Sequence, residues 1–263
     1  LTKDELSEVD DLNINCIYNG EEVHSLKGIE NFTNVRYLTL SGCYDVDYSA
    51  ALSQLPDLIG IYFSEAKIDN LGVFAGCKKL SLLHISDAVI GSMSGLENLE
   101  KLTDLLLLNN CAVESWDGLE KLTHMTSLAI RGANFTETAL LSRMQNLEVL
   151  DLADNHALTD IRPLVGLKKL RSLNLDNTGV PDEDKWNFAD IPDEVSLLPG
   201  EVASIEKYEG LLDLDMQVTE GSKYVKTNKW SSSIVGLFSG TAKIHVTYTD
   251  TLSKDITVHI GEM

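Results

Sequence analysis

A pattern of three apolar residues, spaced apolar-x-x-apolar-x-apolar, recurs down the chain. The copies are Val35, Leu38, Leu40; Leu58, Ile61, Phe63; Leu80, Leu83, Ile85; Leu102, Leu105, Leu107; Met125, Leu128, Ile130; Leu147, Leu150, Leu152; and Leu170, Leu173, Leu175. Successive copies are 23, 22, 22, 23, 22 and 23 residues apart. A degenerate copy, Val9, Leu12, Ile14, precedes them. The last two residues of each triad are two positions apart, so they share one side of a short strand while the residue between faces the other. After the strand the apolar positions step by three, as in Ile68, Leu71, Phe74, Cys77, Leu80 and in Ile90, Met93, Leu96, Leu99, Leu102. A period of three fits a 3-10 helix. Two coils carry one extra residue before this ladder, at Val113, Trp116, Leu119, Leu122 and at Leu158, Ile161, Leu164, Leu167.

One such coil cannot hide its leucines alone, and stacking coils buries them continuously. A repeat of 20–29 residues with this triad is the leucine-rich-repeat signature. The expected fold is an α/β solenoid: a right-handed leucine-rich-repeat horseshoe with a parallel β-sheet and a 3-10 helical convex side. Thr2-Lys-Asp-Glu5 before Leu6 reads as a capping box opening a short N-terminal helix that covers the first coil. The repeats stop after Val180-Pro181, and Trp186 and Phe188 are expected to pack on the open end of the last coil. From about residue 190, candidate strands fall at 195–198, 202–205, 211–218, 222–227, 234–237, 242–249 and 255–260, with turns at Pro199-Gly200, Glu220-Gly221 and Ser239-Gly240. Seven short strands suggest a small β-sandwich. Trp230 is expected to be a packing residue within it.

Coils of this length with a 3-10 back resemble the internalin-like class of bacterial surface leucine-rich-repeat proteins. The stretches that carry the resemblance are Leu26-Lys-Gly-Ile29-Glu-Asn-Phe32-Thr-Asn-Val35, Leu158-Thr-Asp-Ile161-Arg-Pro-Leu164 and Leu147-Glu-Val-Leu150-Asp-Leu152-Ala-Asp-Asn155. The class places Asn at the turn after the strand. Here Asn stands there only at Asn110 and Asn155, against Cys43, Ala66, Ala88, Ala133 and Thr178 elsewhere. Leu197-Leu-Pro-Gly-Glu201, Trp230-Ser-Ser-Ser and Gly240-Thr-Ala-Lys-Ile-His-Val246 resemble bacterial Ig-like domains. The resemblance thus implies two domains: residues 1–188, leucine-rich repeats with an N-terminal helical cap, and residues 189–263, an Ig-like all-β sandwich.

Charge and chemistry narrow the function. Against 41 acidic residues stand 21 Lys and Arg, a net charge of -20. Such a polyanion repels phosphate backbones and anionic lipid, so neither nucleic acid nor direct membrane insertion is expected. Cys16, Cys43, Cys77 and Cys111 are few and widely spaced; four buried thiols are expected, with a Cys16–Cys43 bridge between adjacent coils left open. No nucleotide, metal or nucleophile motif is present, so no cofactor, metal or catalytic residue is assigned. Asp151, Asp154 and Asp160 lack the spacing of a calcium loop. The residues between and flanking the strand leucines face away from the core. In the middle coils they gather Tyr37, Tyr62, Leu82, His84, Leu106 and Leu108, with Arg131 and Val149 beyond, into a candidate partner-binding site on the concave face. The expected function is a secreted or cell-surface, adhesin-like protein-binding module of a bacterium, its signal segment removed. The alternative is an intracellular scaffold or regulatory subunit; an enzyme is a distant third.

Overall fold

A computed structural model describes residues 3–18, 21–43 and 46–262. The chain divides into two compact units: Leu1–Leu170 with Asn177–Gly179, and Arg171–Asp176 with Val180–Met263.

In the first unit each triad forms one strand: β1 (Asp11–Asn15), β2 (Tyr37–Ser41), β3 (Gly60–Ser64), β4 (Leu82–Ser86), β5 (Asp104–Leu108), β6 (Ser127–Ile130) and β7 (Val149–Asp151). They pair in parallel in chain order, equivalent positions side by side. The strand leucines from β2 onward are almost wholly shielded from water, whereas Leu12 and Ile14 of β1 are only half-buried because they sit at the end of the stack. Each methylene removed from water contributes roughly 0.8 kcal/mol, so apolar burial between coils drives the fold. The return path carries 3-10 helices at Ile29–Asn31, Leu71–Phe74, Leu96–Asn98, Leu119–Lys121, Thr138–Arg143 and Arg162–Gly166. One coil departs: helix α2 (Tyr48–Leu52) is α-helical, capped by Asp47, whose side chain accepts the Ala50 N–H. Helix α1 (Lys3–Ser7) precedes β1, and its Ser7 carbonyl accepts a hydrogen bond from Asn34. Thr2, where the expected capping box begins, lies outside the described residues.

The turns follow a rule. From β2 onward each chain reversal after a repeat strand passes through a left-handed residue: Gly42, Glu65, Asp87, Asn110, Gly132, Asp154 or Asn177. In the first six the next residue points inward and is buried: Cys43, Ala66, Ala88, Cys111, Ala133 and Asn155. Asn155 fills its place as the resemblance implies. Its Oδ1 accepts the N–H groups of Ala133 and Phe135 at 3.2 and 2.8 Å, and its Nδ2 donates to the Ile130 and Leu152 carbonyls at 2.6 and 2.8 Å. Asn110 does not take that place and is exposed. Asn109 and Asn110 are both left-handed, the turn is one residue longer, and Cys111 moves inward, its thiol donating to the carbonyls of Ile85 or Leu108.

The expectation of four free thiols is corrected. Cys16 and Cys43 form a disulfide, and only Cys77 and Cys111 remain as buried thiols. The cause is register: β1 and β2 end together at Asn15 and Ser41, and the cysteines just beyond stand 4.9 Å apart at Cα, within bridging range. Burial pushes the Cys77 thiol up to about 11 and raises that of Cys111.

In the second unit, β8 (Ser172–Asn174) repeats the strand motif, and helix α3 (Asp182–Ala189) opens on three acids that suit its N-terminal dipole. Seven strands follow: β9 (Glu194–Leu197), β10 (Val202–Ser204), β11 (Asp215–Glu220), β12 (Val225–Asn228), β13 (Ser233–Gly236), β14 (Gly240–Thr249) and β15 (Leu252–Ile260). They form two sheets, ordered β9-β15-β14-β11 and β10-β13-β12. All pairs are antiparallel except β9 with β15. Alternation places Ala242, Ile244, Val246, Ile256, Val258 and Ile260 in the core. The expected strand at 211–218 starts only at Asp215, because the backbone before it turns to give the Leu212 N–H to the buried Glu206 carboxylate at 2.6 Å. Trp186 stacks on Tyr248 and Phe188 on Tyr208, both partners lying in this unit. Trp230 is not a packing residue: it is 96% exposed.

Candidate functional site

The parallel register converts the strand sequences into three rows across the sheet. One row reads Tyr37, Gly60, Leu82, Asp104, Ser127, Val149; the central row reads Thr39, Tyr62, His84, Leu106, Ala129, Asp151; the third includes Ser41, Ser64, Ser86 and Leu108. Neighbouring positions in a row are about 4.8 Å apart. Tyr37, Tyr62, Leu82, His84, Leu106 and Leu108 therefore form one contiguous patch on β2 to β5. Tyr37 and Tyr62 are 38% and 37% exposed, and the other four are half-buried.

Two details shape the patch. The Tyr37 ring lies over Gly60: a Cβ at that glycine would meet the ring at 2.8 Å, so the missing side chain is what lets the tyrosine lean toward Leu82. Tyr62 meets His84 edge to face, with centroids 5.5 Å apart. The His84 Nε2 is buried without a hydrogen-bond partner among the described residues. Burial lowers the His84 pKa below its ordinary value, which keeps the ring neutral at neutral pH.

The register does not bring every expected residue into the patch. Val149 is exposed but separated from Leu82 by Asp104 and Ser127. Arg131 follows β6 and pairs with Asp151 and Asp154, at 3.8 and 3.3 Å. Asn177 and Arg131 hold the Asp154 carboxyl below its usual range. Asp160 grips Arg162, which lowers its carboxyl to about 2. Asp151, Asp154 and Asp160 are thus engaged by guanidinium groups. Among the described residues no group of three or more His, Cys, Asp or Glu could hold a metal ion, and no helix is long and apolar enough to cross a membrane.

Repeated parallel strands, 3-10 returns and an inward turn residue define a leucine-rich-repeat solenoid. Residues 145–184 match the family model described as Leucine Rich repeats (2 copies). No curated protein matches the chain. Internalin C2 of Listeria monocytogenes superposes with a TM-score of 0.56 at 22% identity, over 69% of this chain and 77% of that one. The leucine-rich-repeat domain of a type III effector, XopL, gives 0.50 at 15% identity over 74% and 70%. A leucine-rich-repeat protein of Leptospira interrogans gives 0.49 at 20% identity over 67% and 51%. At these identities the likeness is one of fold.

Proposed function

We propose that the chain binds a protein partner on the face formed by Tyr37, Tyr62, Leu82, His84, Leu106 and Leu108. The observation that carries this is the contiguity of the patch. Isolated exposed apolar residues are ordinary on a protein surface, but a connected set rimmed by polar groups is the usual mark of a contact site. The serines of the third row and Asp104 supply that rim. Arg131 and Val149 lie beyond it and act as outer contacts.

In this reading the protein works outside the cytoplasm, as a secreted or surface-attached bacterial module, with the second unit an Ig-like domain. The Cys16–Cys43 disulfide supports an oxidising compartment. It also removes half of the thiols that would favour the intracellular alternative.

The test is the double substitution Leu106→Asp with Leu108→Asp. Both side chains are half-exposed and on the face away from the core, so folding should survive. Captured partners are identified by mass spectrometry and their affinities measured. The expected result is a loss of at least 100-fold in affinity at unchanged melting temperature, consistent with removal of central apolar anchors. If every partner of the wild type binds the double variant equally well, the face is not the site.

A further inference from the structure

The second unit carries a separate feature that the repeat face does not explain. Trp230 is the most exposed large apolar residue of the described chain, at 96%. A tryptophan in that position holds a large apolar surface against water, a cost that most surface residues do not impose. Its display is built rather than accidental. It sits in a single 3-10 turn, Lys229–Ser231, opened by Asn228, whose side chain accepts the Trp230 N–H at 3.1 Å, and closed by Ser232 in the left-handed region. The buried Glu206 carboxylate holds the neighbouring segment by accepting the Leu212 N–H. Burial raises the Glu206 pKa.

Trp230 lines a cavity of about 300 Å³ in this unit. Tyr248, whose ring also stacks on Trp186, lines it too, and the polar lining sets Lys185 and Lys229 beside four carboxylates, Asp176, Glu206, Glu209 and Asp213. This composition discriminates between ligand classes. An apolar ligand would leave the ammonium and carboxylate groups unpaired, and an anion would meet four carboxylates. A pyranose presents an apolar C–H face for an indole and a ring of hydroxyls, each both donor and acceptor. Ammonium groups donate to such hydroxyls, carboxylates accept from them, and the cavity lies at the small end of the range for ligand pockets, room for one or two sugar units.

We propose that this cavity is a carbohydrate site, taking a neutral mono- or disaccharide with Trp230 as the stacking platform. Lys185, Lys229, Glu209 and Asp213 hydrogen-bond the hydroxyls. The site is independent of the repeat face, and the repeat-face reading can fail without affecting it.

The experiment uses the whole chain and follows tryptophan fluorescence. The probes are glucose, galactose, N-acetylglucosamine and their β-linked disaccharides, each up to about 10 mM, with choline and lysine methyl ester as cationic comparators. The expected result is a saturable blue shift with at least one saccharide. Trp230→Ala should weaken that binding at least 10-fold by calorimetry, Asp213→Asn should weaken it less, and Leu106→Asp with Leu108→Asp should leave it unchanged. Trp230 is exposed, so Trp230→Ala should keep the wild-type melting curve, which is measured alongside. Failure of every saccharide to bind, binding only by the cations, or saccharide binding that survives Trp230→Ala would each overturn the proposal.

Discussion

At the scale of single residues, Asn155 does the most work per side chain. It is fully buried and closes backbone groups of its own coil and the one before. Replacing it with alanine strands the N–H groups of Ala133 and Phe135 and the carbonyl of Ile130 in the interior. An unpaired buried polar group costs about 1–3 kcal/mol, so Asn155→Ala should lower stability by about 3 kcal/mol or more. The urea midpoint should fall with the slope unchanged; a midpoint within error of the wild type would show that the turn reseals on its own. Ala66, Ala88 and Ala133 occupy equivalent places without this network, so the cost belongs to the coil built around Asn155 and not to the position in general. Residues of this kind were partly legible. Triad spacing identified every buried strand leucine from β2 onward, and counting from the triad placed Asn155 correctly. The same counting misplaced Asn110 by one, because two consecutive left-handed residues lengthen that turn and nothing in the triad reports it. Trp230 was misread for a different reason: a hydrophobic residue in a β-rich stretch is ordinarily core, and exposure of that ring depends on a capped turn that sequence pattern does not reveal.

At the scale of elements, three of the six 3-10 helices of the return path share a start. Gly28, Gly95 and Gly118 are left-handed and donate their N–H to the carboxylates of Glu30, Glu97 and Glu120 at 2.7, 2.7 and 3.0 Å. These backbone bonds hold the Glu30 and Glu97 carboxyls below their ordinary value. The stabilisation they give is therefore present above the normal carboxylate range and is lost as pH falls through the lowered folded value. The three glycines are not equivalent. A Cβ at Gly28 would meet nothing within 4 Å, whereas one at Gly95 would lie 2.3 Å from the Gly72 Cα in the preceding coil. Gly28→Ala should cost about 1 kcal/mol, the strain of a left-handed alanine, and Gly95→Ala at least 2 kcal/mol more because backbone must move. Equal losses in chemical denaturation would contradict the close coil-to-coil contact. The ladder of period three foretold these helices. It did not foretell α2, where Asp47-Tyr-Ser-Ala-Ala-Leu52 supplies a side-chain cap followed by good helix formers and the chain takes the wider turn.

At the scale of the molecule, a solenoid has no core that joins distant coils, so stability is local and adds from neighbour to neighbour. The Cys16–Cys43 bridge stands at the end where β1 has a strand partner on one side only. It closes a separation of 27 residues, for which chain entropy predicts roughly 3.5 kcal/mol. Replacing both cysteines with serine should speed amide exchange in β1 and β2 while β5 to β7 keep their protection; uniform loss across the sheet would show long-range cooperativity instead. The architecture and the rows of outward-facing strand residues were legible because one short motif repeats and its register follows from it. The bridge stays open in the sequence rather than assigned, because it depends on two strands ending level, which no single coil encodes. That level alignment has a further reach. Leu83 and Leu105 occupy identical stations 22 residues apart, so excising residues 84–105 at the gene level would splice one rung cleanly onto the next. Tyr62 would then abut Leu106 directly, and the pattern of outward side chains on the sheet would be rewritten without any new point substitution. Recombination between rungs would thus remodel several positions of the outward face in one step, where codon changes alter one at a time.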